Sequence, residues 1–404
     1  MIGRLAWRNV WRNRLRSLVV VLAIASGLFG TLFVAAISRG MIIRIVQSTI
    51  DNDISDLQIH SDKYVISEEL IDVFPQSQLQ AAIDKNAVLI DAYSFRVKVE
   101  AMATSANGSH QVTLLGIDKD AESRVTGIHD LVVEGTYFDT KTKLKEICVG
   151  RKLVEELEVR LGSKIVLSFA DVEGDIMYES FKITGIYKSS NSEFDKINTY
   201  VLSDDLIPIL KTGESNYHEA AFRISESALD QVYSSLHEEL PGYEVMRWFE
   251  INKTLRAMSS MMDLFTFVMV LIVLIALIFG VINTMLMVVM ERRKELGMLR
   301  ALGMNNFSIG RMIVLETVLL GIIGSIVGNV LTYISVSWFG DRGIKYASAA
   351  EGLEQMGMGD TLYPELGAYT YIAITLLVLV TALIASIFPV RRVFRQNIAE
   401  TLRN

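Results

Sequence analysis

Residues 264–290 read LFTFVMVLIVLIALIFGVINTMLMVVM, and at 291 the text changes to ERRKELGMLRALG. The first part holds no charged side chain, and it exceeds the roughly 20 helical residues needed to cross a hydrocarbon core about 30 Å thick. Leu264–Met290 is therefore expected to span a bilayer, tilted or projecting beyond it. Glu291, Arg292, Arg293, Lys294 and Glu295 mark an abrupt return to water.

Working outward, three further apolar stretches have spanning length: 18–38, 312–338 and 369–388. The chain has 5 prolines in 404 residues; none lies within these stretches, and Pro389 stands where the last one stops. With 51% hydrophobic and 21% charged residues, the chain is too apolar for an ordinary soluble enzyme and too charged to lie wholly in a bilayer. The fold class expected is a polytopic α-helical membrane protein with four transmembrane helices and a large mixed α/β extracytoplasmic domain.

Charge sets the orientation. Residues 1–17 carry Arg4, Arg8, Arg12, Arg14 and Arg16 without an acid, while 291–311 and the tail 389–404 are also basic. The segments 39–263 and 339–368 carry the acidic excess behind a net charge of −7. Basic flanks mark the cytoplasmic side, so both termini are expected inside, with 39–263 as the extracytoplasmic domain and 339–368 as a short outer loop. A cleavable signal peptide competes for the first stretch, but its apolar run exceeds the usual 7–15 residues or so of such a leader.

Trp7, Trp11 and Leu15 recur every four residues beside a row of Arg8, Arg12 and Arg16. This predicts an amphipathic helix over 1–17 lying in the cytoplasmic interface, with indoles at headgroup depth. A plain basic flank would explain the arginines but not the spacing of the tryptophans.

The extracytoplasmic segment alternates as strands do. Phe95, Val97, Val99 and Ala101 lead to a turn at Asn107-Gly108, and Val112, Leu114 and Gly116 return, a hairpin pattern. A strand at Leu57–His60 and a helix bearing Leu79 and Ile83 precede it. Strand Ala220–Ile224, helix Ala228–Leu240 and strand Tyr243–Arg247 follow. The order suits a split β-α-β layer interrupted by a β-rich insertion over about 121–217, with strands near 147–149, 164–169, 178–187 and 199–202.

No catalytic constellation is legible. The five histidines are scattered, no nucleophile elbow appears, and the carboxylates read as a solvated face. Cys148, the one cysteine, lies in an apolar run and reads as a buried free thiol. Neither a metal site nor a nucleic-acid partner is expected.

The stretch Asn283–Gly303 resembles the signature that follows the second helix in permeases of the MacB/FtsX/LolC–LolE family. Trp7-Arg8-Asn9 and Trp11-Arg12-Asn13 are similar to that family's amino-terminal pattern, and Gly185-Ile186-Tyr187 with Glu193-Phe194-Asp195 resembles its extracytoplasmic domain. The resemblance implies a non-catalytic ABC permease subunit of the bacterial inner membrane. Two copies of a separate ATPase subunit, which binds the ATP and magnesium, would drive it, since no phosphate-binding Gly-x-x-x-x-Gly-Lys-Ser/Thr loop occurs here. A second permease subunit, identical or homologous, would complete the dimer. Length and split organisation favour the LolC/LolE branch, which passes lipoproteins to a periplasmic chaperone. A MacB-like efflux permease with an adaptor and an FtsX-like scaffold that activates a cell-wall hydrolase are the alternatives.

Residues 291–311 would then be the coupling helix and its turn. Its candidates are Glu291, Arg292, Lys294, Glu295, Leu296, Gly297, Leu299, Arg300 and Gly303. Leu296, Leu299 and Leu302 form an apolar stripe suited to a partner's groove, and the glycines allow close approach and a turn. In the third span Gly321, Gly324 and Gly328 form a small-residue face for helix packing, within the permease or across a dimer. Glu316, costly inside a membrane helix, calls for a partner such as Arg311 or a group at the cytoplasmic interface. Candidates for an acyl-chain cleft at the outer ends of helices one and two are Phe33, Met41, Ile42, Met258, Met261, Met262 and Phe265; methionine suits variable apolar surfaces.

Overall fold

Four helices long and apolar enough to cross a membrane run over Arg14–Thr49, Lys253–Glu291, Asn306–Arg342 and Ala368–Phe394. The computed structural model describes residues 2–12, 14–138, 144–345, 352 and 361–394. The side chain of Arg16, residues 346–351 and 353–360 of the loop 339–368 and the tail beyond residue 394 lie outside them. The chain divides into a helical unit (1–42, 259–344 and 362–404) and an α/β unit (43–258 with 345–361).

In the helical unit the first three helices outrun their apolar stretches. At 1.5 Å per residue each is about 55 Å long, well beyond a hydrocarbon core of about 30 Å. The last helix also continues, through Pro389 to Phe394, where the sequence suggested a stop. Proline removes its own N–H bond to the preceding turn and crowds the carbonyl four residues back, yet the helix runs on past it to Phe394. The core is built from Ile24, Leu28, Leu32, Leu277, Val281, Met285, Ile313, Leu320, Val378 and their neighbours.

The small-residue face of the third span packs inside the chain. A Cβ on Gly324 would stand 2.9 Å from Ile24 Cβ, and one on Gly328 would stand 2.9 Å from the Ala25 carbonyl oxygen. Gly321 meets Leu379 of the fourth span instead. Spans one and three therefore approach nearly backbone to backbone, which only a missing Cβ permits.

The amphipathic segment is shorter than expected. Its helix is Ile2–Arg12, and Leu15 belongs to the next helix, so the row of Trp7, Trp11 and Leu15 is interrupted. Ala6 and Val10 are buried, whereas Trp7 and Trp11 stay about half exposed with their rings edge to face at 5.8 Å. Ser17 Oγ donates to the Val10 carbonyl at 2.6 Å, tying the two helices at their junction.

The α/β unit holds a ten-stranded sheet. Its first part runs Tyr243–Arg247, Leu57–Ser61, Glu219–Ile224, Ile90–Thr104 and Ser109–Ile117, all antiparallel. The strands flanking helix Leu229–Glu239 are separated by Leu57–Ser61, which is the split β-α-β arrangement. The hairpin registers Val97 with Gly116, Val99 with Leu114 and Ala101 with Val112. The β-rich insertion does not form a separate layer. Asn198–Leu202 pairs parallel to Ser109–Ile117 and carries the sheet on to Glu146–Gly150, Ile176–Tyr187 and Val132–Gly135, with Lys164–Ala170 pairing at its side. Short helices Lys119–Val125, Arg151–Glu156, Ser192–Ile197 and Ser203–Leu210 punctuate it.

Arg96 ties its strand to the neighbouring strand Glu219–Ile224 and to helix Lys119–Val125. Its Nη2 and Nε donate to the two oxygens of Glu122 at 2.6 and 3.0 Å, and Nη1 donates to Glu219 Oε1 at 2.6 Å. All three side chains are buried. Removing the arginine would strand two carboxylates, a loss of about 3–5 kcal/mol for broken buried pairs. Cys148 is a buried free thiol whose burial pushes its pKa up to about 12, so it stays protonated.

Candidate functional site

The segment after the second span breaks its helix at Arg292, with φ −92° and ψ 14°, and resumes as Arg293–Ala301. Gly303 closes that helix at φ +90°, a left-handed value that favours glycine, and Asn305 opens the next by accepting the Ser308 N–H at 2.7 Å. Two sharp turns thus hold a short candidate helix between spans two and three.

A chain of four charged residues runs through this junction. Arg12 of the amphipathic helix donates to Glu295 Oε1. Arg292 Nε donates to Glu295 Oε2 at 3.2 Å, and its Nη1 reaches Glu316 Oε1 and Oε2 at 3.2 and 3.1 Å. The sequence connects the amphipathic helix, the short helix, the end of span two and the interior of span three. The Arg12 hydrogen bond and charge hold the Glu295 carboxyl below the usual carboxylate range, with Arg292 adding to the effect. A cavity of about 20 Å³, room for a single water, lies between Asn9, Arg12, Arg292 and Glu316.

Glu316 takes Arg292 as its partner, not Arg311. Five residues along a helix turn about 140° away, so Arg311 faces elsewhere and lies over the Phe307 ring at 5.6 Å. The leucine stripe is also redistributed. Leu296 is buried and Leu299 packs on the bundle core, so both serve this chain's own interior and only Leu302 of the three is exposed. Gly297 is buried beside Leu296. The surface left for a partner is formed by Met298, Leu302 and Phe307, with Glu291 and Lys294 also exposed and Arg300 half-buried.

Met298 and Phe307 were not singled out in sequence, and Arg12 was read only as part of the basic row facing the membrane surface. The four-residue spacing of Met298 and Leu302 on one face was a usable signal; nothing local marks Arg12 as a partner 283 positions from Glu295.

The cleft candidates differ in exposure. Phe33 stacks on Phe29 at 5.5 Å and meets Phe339 edge-on at 6.2 Å, which commits it to the bundle. Met41, Ile42, Met258 and Met262 are half-buried, whereas Met261 and Phe265 are exposed. The second span is the least covered: 17% of its most apolar window is buried, against 44% for the third.

Among the described residues one acidic group has metal-like spacing, Asp171, Glu173 and Asp175. Lys211 occupies it, with Nζ 2.8 Å from Asp171 Oδ2 and also paired to Glu173.

Residues 17–237, more than half of the chain, match the family described as the MacB-like periplasmic core domain. Residues 267–398 match the FtsX-like permease C-terminal family. The chain is 22% identical over 323 residues to the lipoprotein-releasing system transmembrane protein LolC of Xylella fastidiosa, covering 76% of each. It is 22% identical over 440 residues to the ABC transporter permease YtrF of Bacillus subtilis, covering 98% of this chain and 97% of the other. With the macrolide export ATP-binding/permease protein MacB of Neisseria meningitidis it shares 24% over 355 residues, 80% of this chain but 51% of that protein.

Proposed function

The chain belongs to the MacB/FtsX family of ABC transporter permeases, and on that premise we propose that it releases lipoproteins from the inner membrane by mechanotransmission. The observation that carries the reading is the Arg12–Glu295–Arg292–Glu316 relay. A push on the short helix Arg293–Ala301 is transmitted through Arg292 to spans two and three, and through Arg12 to the amphipathic helix. Interfaces of this kind switch between discrete packings rather than deforming continuously. Two copies of a separate ATPase subunit supply the push, and Met298, Leu302 and Phe307 seat in its groove with Glu291 and Lys294 at the rim.

Both termini lie in the cytoplasm on this reading, as the basic flanks require. Helices one and two carry the movement to the α/β domain outside. The acyl chains of the substrate enter beside the exposed second span near Met261, Met262 and Phe265, and a periplasmic chaperone or adaptor takes the released lipoprotein.

The test is mass spectrometry of what co-purifies with the permease and its ATPase in mild detergent. Acylated lipoproteins that leave on addition of ATP support release. Recovery of a membrane-fusion adaptor without lipoprotein would replace this reading with export, and recovery of a cell-wall hydrolase would replace it with signalling.

A further inference from the structure

Strand Ile90–Thr104 changes neighbours at Arg96. On one side Glu219–Ile224 pairs with it from Arg96 back to Ile90. On the other side Ser109–Ile117 pairs only from Arg96 onward. Past Ile117 the chain leaves the sheet: Asp118 Oδ1 accepts the N–H groups of Asp120 and Ala121 at 3.0 and 2.7 Å and starts helix Lys119–Val125. Among the described residues no strand pairs with the outer edge of Asp91–Phe95, and no backbone hydrogen bond reaches that edge from a loop or helix. Such an edge is a template for another strand.

The edge forms the floor of a groove of about 560 Å³. Ile83 and Asp84 wall it on one side, Ala121 and Arg124 on the other. Along the strand, side chains alternate between the two faces. Tyr93 and Phe95, whose rings meet at 5.8 Å, share one face with Asp91; Ala92 and Ser94 share the other. Ser94 is 1% exposed, and its hydroxyl has no hydrogen-bond partner among the described residues. Three carboxylates, those of Asp84, Asp91 and Asp118, oppose the single guanidinium of Arg124 in the groove.

We propose that this edge docks an extended basic segment of a partner protein, added to the sheet as one more strand beside Asp91–Phe95. Backbone pairing supplies affinity, and the walls select side chains, as in other cases of strand addition. Long cationic side chains fit the face of Tyr93, laying their stems on its half-buried ring, with Phe95 buried beneath, and their charges beside Asp84 and Asp91. Only small side chains fit the other face, where Ala92 packs with Val125 and Ala221 beneath helix Lys119–Val125 and Ser94 is buried. The segment recognised therefore alternates Arg or Lys with Ser or Ala over five or six residues.

The probe is an end-blocked Arg-Ser-Arg-Ser-Arg-Ser peptide, offered to the full chain in lipid nanodiscs. Saturable binding is expected, with slowed hydrogen exchange at the amides of residues 91–95. Methylating the peptide's own amide nitrogens at every second position should abolish binding in one register and spare it in the other. The Asp84→Asn, Asp91→Asn, Asp118→Asn variant should bind about tenfold more weakly, as loss of the groove's exposed acidic charge predicts, while asparagine keeps the helix cap at 118. Equal binding of both methylated registers, or of a Glu-Ser peptide, would overturn the proposal. So would protection of residues 91–95 that rises with protein concentration in the absence of peptide, since the edge would then pair two copies of this chain.

Discussion

Arg292 holds Glu316 through one nitrogen, with Nη1 lying 3.1 Å from Oε2 and 3.2 Å from Oε1, while its Nε stays on Glu295. The Glu316 side chain is 7% exposed and the Arg292 side chain 13%. A carboxylate buried in a spanning helix is costly unless paired. The same guanidinium links it to a half-exposed carboxylate on the neighbouring helix, so movement of Arg293–Ala301 alters the pairing inside span three.

Breaking that pair should be felt in both stability and coupling. Arg292→Ala leaves Glu316 buried without its cation, a change worth about 3–5 kcal/mol in buried pairs. We expect a clear fall in melting temperature in detergent and a loss of ATP-dependent release, with Glu316→Gln partly restoring the melting temperature in the double variant. A melting curve for Arg292→Ala that matches the parent would remove the relay from the mechanism.

The small-residue face makes a steric prediction. Gly324→Leu and Gly328→Val push side chains into Ile24 and the backbone of Ala25, and overpacking of this kind costs about 1–3 kcal/mol. Gly30→Ala, which meets nothing within 4 Å, is the control and should melt like the parent. Equal melting of all three variants would mean that spans one and three do not pack as described.

In the α/β unit His218 makes stability depend on pH. Burial lowers its pKa to about 4, from an ordinary value near 6.5. Its Nδ1 accepts the Lys98 N–H at 3.1 Å and its Nε2 donates to the Leu70 carbonyl at 3.0 Å, so the neutral ring is satisfied and a second ring proton is not. The unfolded chain therefore takes up the proton first as pH falls. The contribution is fully present above about pH 6.5 and is lost towards pH 4, on the order of 3 kcal/mol in all. Melting temperatures at pH 7.5 and pH 5 should differ less in His218→Gln than in the parent; identical differences would show that other groups set the slope.

The cleft assignment can be tested by charge. Met262→Asp and Phe265→Asp place a carboxylate in the first third of helix Lys253–Glu291. Assembly with the ATPase should survive, while release of acylated substrate falls. Unchanged release would sink the assignment and leave this surface to lipid or to the second permease.

Much of the architecture was legible because hydropathy and charge accumulate along the chain without reference to distant contacts. The apolar runs at 18–38 and 264–290, the basic flanks and the alternation from Phe95 to Gly116 are local patterns, and the helices and hairpin follow them. The family signature at Asn283–Gly303 likewise lies in one continuous stretch. Helix ends were less legible: packing carries Arg14–Thr49 and Lys253–Glu291 past their apolar cores, and Pro389 alone does not stop the last helix.

Partnerships between distant residues were decided only in three dimensions. The sequence placed Glu316 inside a membrane helix and required a cation; helix geometry turned Arg311 away, and the break at Arg292 brought a guanidinium from 24 positions earlier. It spaced Leu296, Leu299 and Leu302 as one stripe, yet the turns at Arg292 and Gly303 set the roll of that helix and sent the first two inward. It offered Gly324 and Gly328 as a close-packing face without naming Ile24 and Ala25 as the other side. The open edge at Asp91–Phe95 arises because Ser109–Ile117 ends opposite Arg96, a matter of register between strands. Local propensity determines which elements form; the packing of their faces determines which charges meet and which edges remain unpaired.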